Sequence, residues 1–167
     1  MHTPAWLWYT RRRMEPDTIR ALFAALRDEN VDYVLVGALA MDVLGLGRLT
    51  EDVDLFVRPT PDNVERLRRA LRRVWQDSSI DEITAADLAG DYPAVQYVAP
   101  DGTPIDILSR LGEAFDFADI EANIYSYGDV DVKVATPRAL YRMKRDTVRL
   151  QDKADAQVLK EKFGLKE

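Results

Sequence analysis

The chain contains no cysteine, so neither a disulfide framework nor a thiolate metal centre can be built from it. Histidine is almost as scarce: His2 is the only one in 167 residues. That excludes histidine general bases, Ser-His-Asp triads and histidine zinc sites. No apolar run reaches the roughly 18 residues a membrane-spanning helix needs, because Asp42 interrupts the longest candidate. The opening residues place Arg11, Arg12 and Arg13 after a short apolar run, the reverse of a secretory signal. A formal net charge of −6 argues against a protein that coats nucleic acid non-specifically. A cytoplasmic protein with no membrane partner is expected. Its chemistry is left to carboxylates, lysine, arginine, hydroxyls and a hard metal ion.

What is present suits a folded domain, with 47% hydrophobic and 31% charged residues. Residues 1–14 read as an N-terminal extension, with Met14 an alternative start and Trp6, Trp8 and Tyr9 a docking patch or a tail. Residues 15–135 read as the core, and 136–167 as a helical segment packed on it. Ile19, Leu22, Phe23 and Leu26 recur at helical spacing, with Asp17 as the expected N-cap. "DYVLVG" reads as a buried strand closed by Gly37, and "ALAMDVLGLG" as a short helix stopped by glycine. "DVDLFV" is a second strand. Asn63–Trp75 is an amphipathic helix with Val64, Leu67, Leu71 and Val74 inward.

"AVQYVAPDGTPIDILSR" predicts a hairpin with Asp101-Gly102 at the turn. A helix is expected within "GEAFDFADIEANI" and an edge strand in "DVDVKVA". Residues 137–162 are expected to be helical, with a break near Gln151. The fold class is therefore α/β (α+β): a mixed sheet with flanking helices and a helical C-terminus.

Two carboxylates sit in the strand "DVDLFV", although aspartate is depleted from strands. Side chains two apart share a face, so Asp52 and Asp54 point one way and Val53, Leu55 and Val57 the other. "PIDILS" repeats the pattern, with Asp106 opposite Ile105 and Ile107. If that strand neighbours the first, Asp106 comes within about 5 Å laterally of the pair. Carboxylates about 6 Å apart repel by roughly 2–3 kcal/mol at an effective dielectric near 20. A divalent cation relieves that repulsion, and Mg²⁺ takes one or two carboxylates together with water and substrate phosphates. A D-x-D pair on its own also fits an exposed edge strand, so the neighbourhood has to decide.

The run "VGALAMDVLGLGRLTEDVDLFV" resembles the signature of the DNA-polymerase-β-like nucleotidyltransferase superfamily: a strand, a glycine turn opening a helix, then a D-x-D strand. "GRLTEDVDLFV" and the end "ATPRALYRMKRDTVRLQDKADAQVL" look most like the AbiEii/MenT group of toxin-like nucleotidyltransferases. The resemblance covers about Val31–Leu159. It implies that Asp52 and Asp54 hold metal, two Mg²⁺ ions being expected, beneath a nucleoside triphosphate. Asp106 would complete the metal site and help deprotonate the acceptor hydroxyl. Gly37 would admit phosphates close to the backbone, with Ala38 at the start of the helix whose N–H groups face them. Arg48 and Thr50 would contact triphosphate or order the loop, Lys144 would steady the phosphates, and Asp152 would orient Lys144 or bind base or ribose. Ala38 departs from the Gly or Ser usual in the family and removes a hydroxyl from the phosphate site.

The function expected is Mg²⁺-dependent transfer of a nucleotide from NTP to a hydroxyl, a tRNA end first among the acceptors, by a toxin with a cognate antitoxin. The alternatives are a catalytically degenerate nucleotide-binding or regulatory module, which Ala38 favours, and a small-molecule, antibiotic-type nucleotidyltransferase. The arginines from Arg66 to Arg73 read as a solvated helix face in preference to an RNA contact. Arg138, Arg142, Lys144, Arg145 and Arg149 leave a local phosphate-binding face open.

Overall fold

Helix α1, Pro16–Asp28, begins with proline at its first position, where the fixed φ suits a helix and no N–H is missed. The computed structural model describes residues 15–48, 52–91, 93–111 and 115–166. Ile19, Leu22, Phe23 and Leu26 form the buried stripe of α1. Its N-cap is Glu15, with no side-chain bond; Asp17 lies inside the first turn, where its charge complements the helix dipole.

Strand β1, Tyr33–Val36, is buried throughout and runs into α2, Gly37–Val43. Strand β2, Val53–Val57, follows, then α3, Pro61–Val74, capped by the Thr60 side chain, which accepts from Asn63 N–H. Buried Asn63 ties α3 to the strands: its amide nitrogen donates to the carbonyls of Asp32 and Arg58, at 2.9 Å each. A 3₁₀ turn, Ser78–Glu82, and the short helix α4, Ala85–Ala89, lead to the hairpin of β3, Ala94–Val98, and β4, Pro104–Leu108. Gly102 N–H donates to the Ala99 carbonyl within that turn.

Among the described residues the helix expected after the hairpin does not form. In its place a small ribbon pairs β5, Arg110–Leu111, with β6, Phe115–Asp116, and a 3₁₀ turn and strand β7, Ala122–Tyr127, follow. Asp116 and Asp119 cap that turn reciprocally at Phe117–Asp119, which ends helical structure after three residues. Strand β8 spans Val130–Ala135, α5 Pro137–Arg145 and α6 Leu150–Phe163. The break between the last two helices falls before Leu150, slightly ahead of the expected position near Gln151.

The sheet has the order β3-β4-β2-β1-β8-β7. Parallel pairings β2–β4 and β1–β8 alternate with antiparallel ones, so the sheet is mixed. Strand β8 is internal, against the edge position expected for it; β3 and β7 are the edges. Its alternation misled because one face, Val130, Val132 and Val134, is buried while Asp131 and Lys133 on the other remain exposed. Val53, Leu55, Val57, Ile105 and Ile107 are fully buried beneath the helices.

Candidate functional site

The site starts from backbone register. Strand β2 lies between β1 and β4, so Asp54 stands opposite Val36 on one side and Asp106 on the other. Neighbouring strands are about 4.8 Å apart, which brings the two carboxylates side by side. Gln96, opposite Asp106 on β3, donates from its amide nitrogen to Asp106 Oδ1 at 3.1 Å and so fixes the direction of that side chain.

Gly37 follows Val36 with φ +74°. A Cβ added there would lie 2.0 Å from Asp54 Oδ2. Glycine is therefore required twice, by the left-handed backbone and by the carboxyl that rests against it. Burial pushes the Asp54 carboxyl up from 3.8 to about 7. The Asp106 charge, a hydrogen bond with the Asp106 carboxyl and the Asp52 charge add to that rise, and Lys144 opposes it.

The opposite wall comes from the C-terminal helices. Lys144 Nζ lies 3.0 Å from Asp155 Oδ2 and 3.3 Å from Asp152 Oδ1. Asp152 and Asp155 are three apart on α6, so both meet Lys144 from one face of that helix. Gln151 donates to Asp155 Oδ1 at 2.9 Å, and Thr147 Oγ1 to Asp152 Oδ2 at 3.0 Å. Arg48 Nε approaches Asp155 Oδ1 at 3.2 Å, yet makes no hydrogen bond there and is buried without one.

Between the walls lies an open cavity of about 450 Å³, within the range of small-molecule sites. Asp52, Asp54, Asp106, Gly37, Ala38, Arg48, Lys144 and Asp152 all line it. Thr50 lies outside the described residues. Sequence reasoning assigned no role to Asp155, Gln151, Thr147 or Gln96. The i, i+3 spacing of Asp152 and Asp155 was the available signal for the first. Nothing in sequence pairs Gln96 with Asp106, because that depends on hairpin register. Leu108, Leu111, Leu140 and Met143 give the cavity an apolar side.

The arginine-rich face of α3 is no part of this site. Arg66 pairs with Asp62, Arg68 with Glu65, Arg72 with Asp81, and Arg69 and Arg73 both with Glu29. Such surface pairs add little stability each, but they cancel the field a phosphate would need.

Among the described residues no group of three or more acidic or histidine side chains is arranged to hold a metal ion unaided. The donors present nevertheless suit a hard divalent cation that shares its shell with substrate. They are carboxylate oxygens only, one of them driven toward its neutral form by burial first and by the neighbouring Asp106 carboxylate second, and Mg²⁺ needs no more than one or two from protein.

Comparison with known families decides the class: the model described as nucleotidyl transferase AbiEii toxin, type IV TA system, matches residues 20–155. The chain belongs to the AbiEii family. It is a nucleotidyltransferase, hence a transferase, of the toxin half of a toxin–antitoxin system. An NTP substrate and an antitoxin partner come with membership of the AbiEii family. The matched span runs from α1 to Asp155 and contains every described wall of the cavity. Neither curated proteins nor solved structures show a match. No helix among the described residues is long and apolar enough to cross a membrane.

Proposed function

We propose that this AbiEii-family chain moves a nucleotide from an NTP to a hydroxyl group of RNA, with a tRNA end as first candidate, and that it needs Mg²⁺. The observation that carries the reading is the in-register pairing of Asp54 with Asp106 against Gly37, facing Lys144 across the cavity.

Asp52, Asp54 and Asp106 are the residues that would hold the metal. Mg²⁺ bound there supplies charge neutralisation on the phosphates and lowers the pKa of the acceptor hydroxyl. Gly37 leaves the backbone open for close approach of the phosphates, and Ala38 adds no hydroxyl to them. Lys144 and Arg48 supply positive charge to the cavity, Arg48 Nε lying 3.2 Å from Asp155 Oδ1.

In the transfer, the acceptor oxygen bonds to the α-phosphorus and the bond from that phosphorus to the β-phosphate bridge breaks. Pyrophosphate leaves, and Asp106 takes the hydroxyl proton. Asp155, with Asp152, holds Lys144 in place, so both are positioning residues. The apolar side formed by Leu140 and Met143 offers a surface for the nucleobase.

The test is thermal: each of the four NTPs with Mg²⁺ is added to the wild-type chain and to Asp54→Asn. At least one nucleotide should raise the wild-type melting temperature and fail to raise that of the variant. No shift with any nucleotide removes the reading.

A further inference from the structure

From Thr147 in the α5–α6 turn to Gln151 in the first turn of α6, side chains alternate between the cavity and solvent. Thr147, Arg149 and Gln151 line the cavity. Val148 and Leu150, between them, point outward and are 90% and 83% exposed, more than any other large apolar side chain among the described residues. Exposed apolar side chains scattered singly over a surface mean little. Two together, flanking an arginine at the mouth of an active-site cavity, are a different case.

Charge at the turn narrows the occupant. The Arg149 side chain is 78% exposed, and its carboxylate contact, Asp152 Oδ2, is as far away as 4.0 Å. Lys153, one helical turn further on, is exposed and has no ion pair among the described residues. Asp146, at the start of the turn, is occupied by Arg145 at 3.4 Å. The contrast with α3, whose arginines are each matched by an acid, marks this turn as a place where exposed positive charge stands beside the cavity.

Size narrows it further. A stable protein–protein interface buries about 800 Å² on each partner, far more than two aliphatic side chains present. Val148 and Leu150 are of a size to pack against one or two unstacked nucleobases, as aliphatic side chains do when they wedge between base steps. Paired bases in an A-form helix are stacked and closed to such contact, so the fit is to a single-stranded end.

We infer that the Thr147–Gln151 turn is the acceptor dock: Val148 and Leu150 receive the unpaired terminal bases of an RNA, and Arg149 holds the phosphate that leads its 3′ hydroxyl into the cavity. This rests on the proposed transfer to RNA and adds the surface and the single-stranded form of the acceptor. Thr147, Arg149 and Gln151 line the same cavity as Asp54 and Asp106, so a strand docked on the turn has its end beside the cavity that holds those carboxylates.

The test separates the dock from the chemistry. RNA with a single-stranded 3′ end, and the same RNA with a blunt duplex end, are titrated against the wild-type chain, the Val148→Ser/Leu150→Ser double variant and Arg149→Gln. NTP-induced thermal shift and transfer are recorded alongside. The double variant should bind single-stranded ends about tenfold more weakly, no better than the wild-type chain binds the blunt end. Its NTP-induced shift should be unchanged, because neither altered side chain lines the cavity. Arg149→Gln should weaken RNA binding and flatten its salt dependence. If the wild-type chain labels RNA while the double variant keeps its Kd and KM, the dock is overturned and the proposed transfer stands. If RNA binds through the turn but receives no nucleotide, the dock stands and the proposed transfer falls. If RNA neither binds nor is labelled, or if the turn captures only protein, both are overturned.

Discussion

Replacing Gly37 by alanine isolates the contact on which the acidic wall depends. Two costs can be separated. The first is backbone: φ of +74° places an alanine in the left-handed region at about 1–2 kcal/mol. In a chain of this length that lowers the melting temperature by roughly 2–8 °C. The second is steric: the new Cβ would stand 2.0 Å from Asp54 Oδ2, and ordinary contact begins at 3.4 Å, so the carboxyl must retreat by about 1.4 Å. A misplacement near 1 Å in a catalytic constellation costs on the order of 10²-fold in rate. Gly102→Ala provides the control, with φ of +89° and nothing within 4 Å of its added Cβ. In thermal melts Gly102→Ala should lose only the backbone part of the stability, and Gly37→Ala that part plus the cost of displacing the Asp54 carboxyl. Only Gly37→Ala should lose nucleotide transfer, by roughly 100-fold, measured with labelled NTP and RNA. Equal transfer by the two variants would refute the argument that the position of Asp54 matters.

Three further outcomes follow from the same geometry. The folded-state pKa of Asp54 is raised from 3.8 to about 7: below pH 4 the group is protonated in both states, and from there to about pH 7 the unfolded chain ionises while the folded one resists. Its contribution to stability therefore falls across that window, by up to about 4 kcal/mol, so without divalent ions Asp54→Asn should outlast wild type in urea at pH 8 and match it near pH 4; a pH-independent difference would count against the burial argument. Asp155→Asn leaves Lys144 with Asp152 alone and removes the carboxylate beside Arg48. It should cost about 1–3 kcal/mol in denaturant unfolding and raise KM for NTP, whereas an unchanged KM would deny Asp155 its positioning role. Ala38→Ser restores a hydroxyl at the cavity wall and should tighten NTP binding about tenfold, as a hydrogen bond to a charged group does; calorimetry showing no change would mean that the phosphates do not pass this position.

Much of the fold was legible because its core strands announce themselves by alternation. Val53, Leu55 and Val57 against Asp52 and Asp54 set both the strand and its buried side, and Ile105 and Ile107 against Asp106 did the same for β4. The helix expected within residues 112–124 had no clear period behind it: Phe115, Phe117 and Ile120 are spaced loosely enough for either period, and the reciprocal Asp116–Asp119 cap that stops the turn is a three-dimensional contact. The interior place of β8 was hidden for a related reason, since a strand paired on both edges can still leave one face wet. At the site, the acidic residues could be proposed from local pattern together with family resemblance. The Gln96–Asp106 bond depends on hairpin register, which no spacing in the sequence encodes; the i, i+3 spacing of Asp152 and Asp155 puts both on one helix face, but that this face meets Lys144 depends on helix packing.

The measurement that bears most directly on the account is transfer of label from an α-labelled NTP to total tRNA by the wild-type chain, Asp54→Asn and Asp106→Asn, with Mg²⁺ and with Mg²⁺ chelated. The account predicts labelled RNA from the wild-type chain with Mg²⁺ alone, and at least a 100-fold loss in both variants and on chelation, as removal of charge-stabilising groups produces. Transfer at the wild-type rate by either variant, or transfer indifferent to chelation, would contradict it.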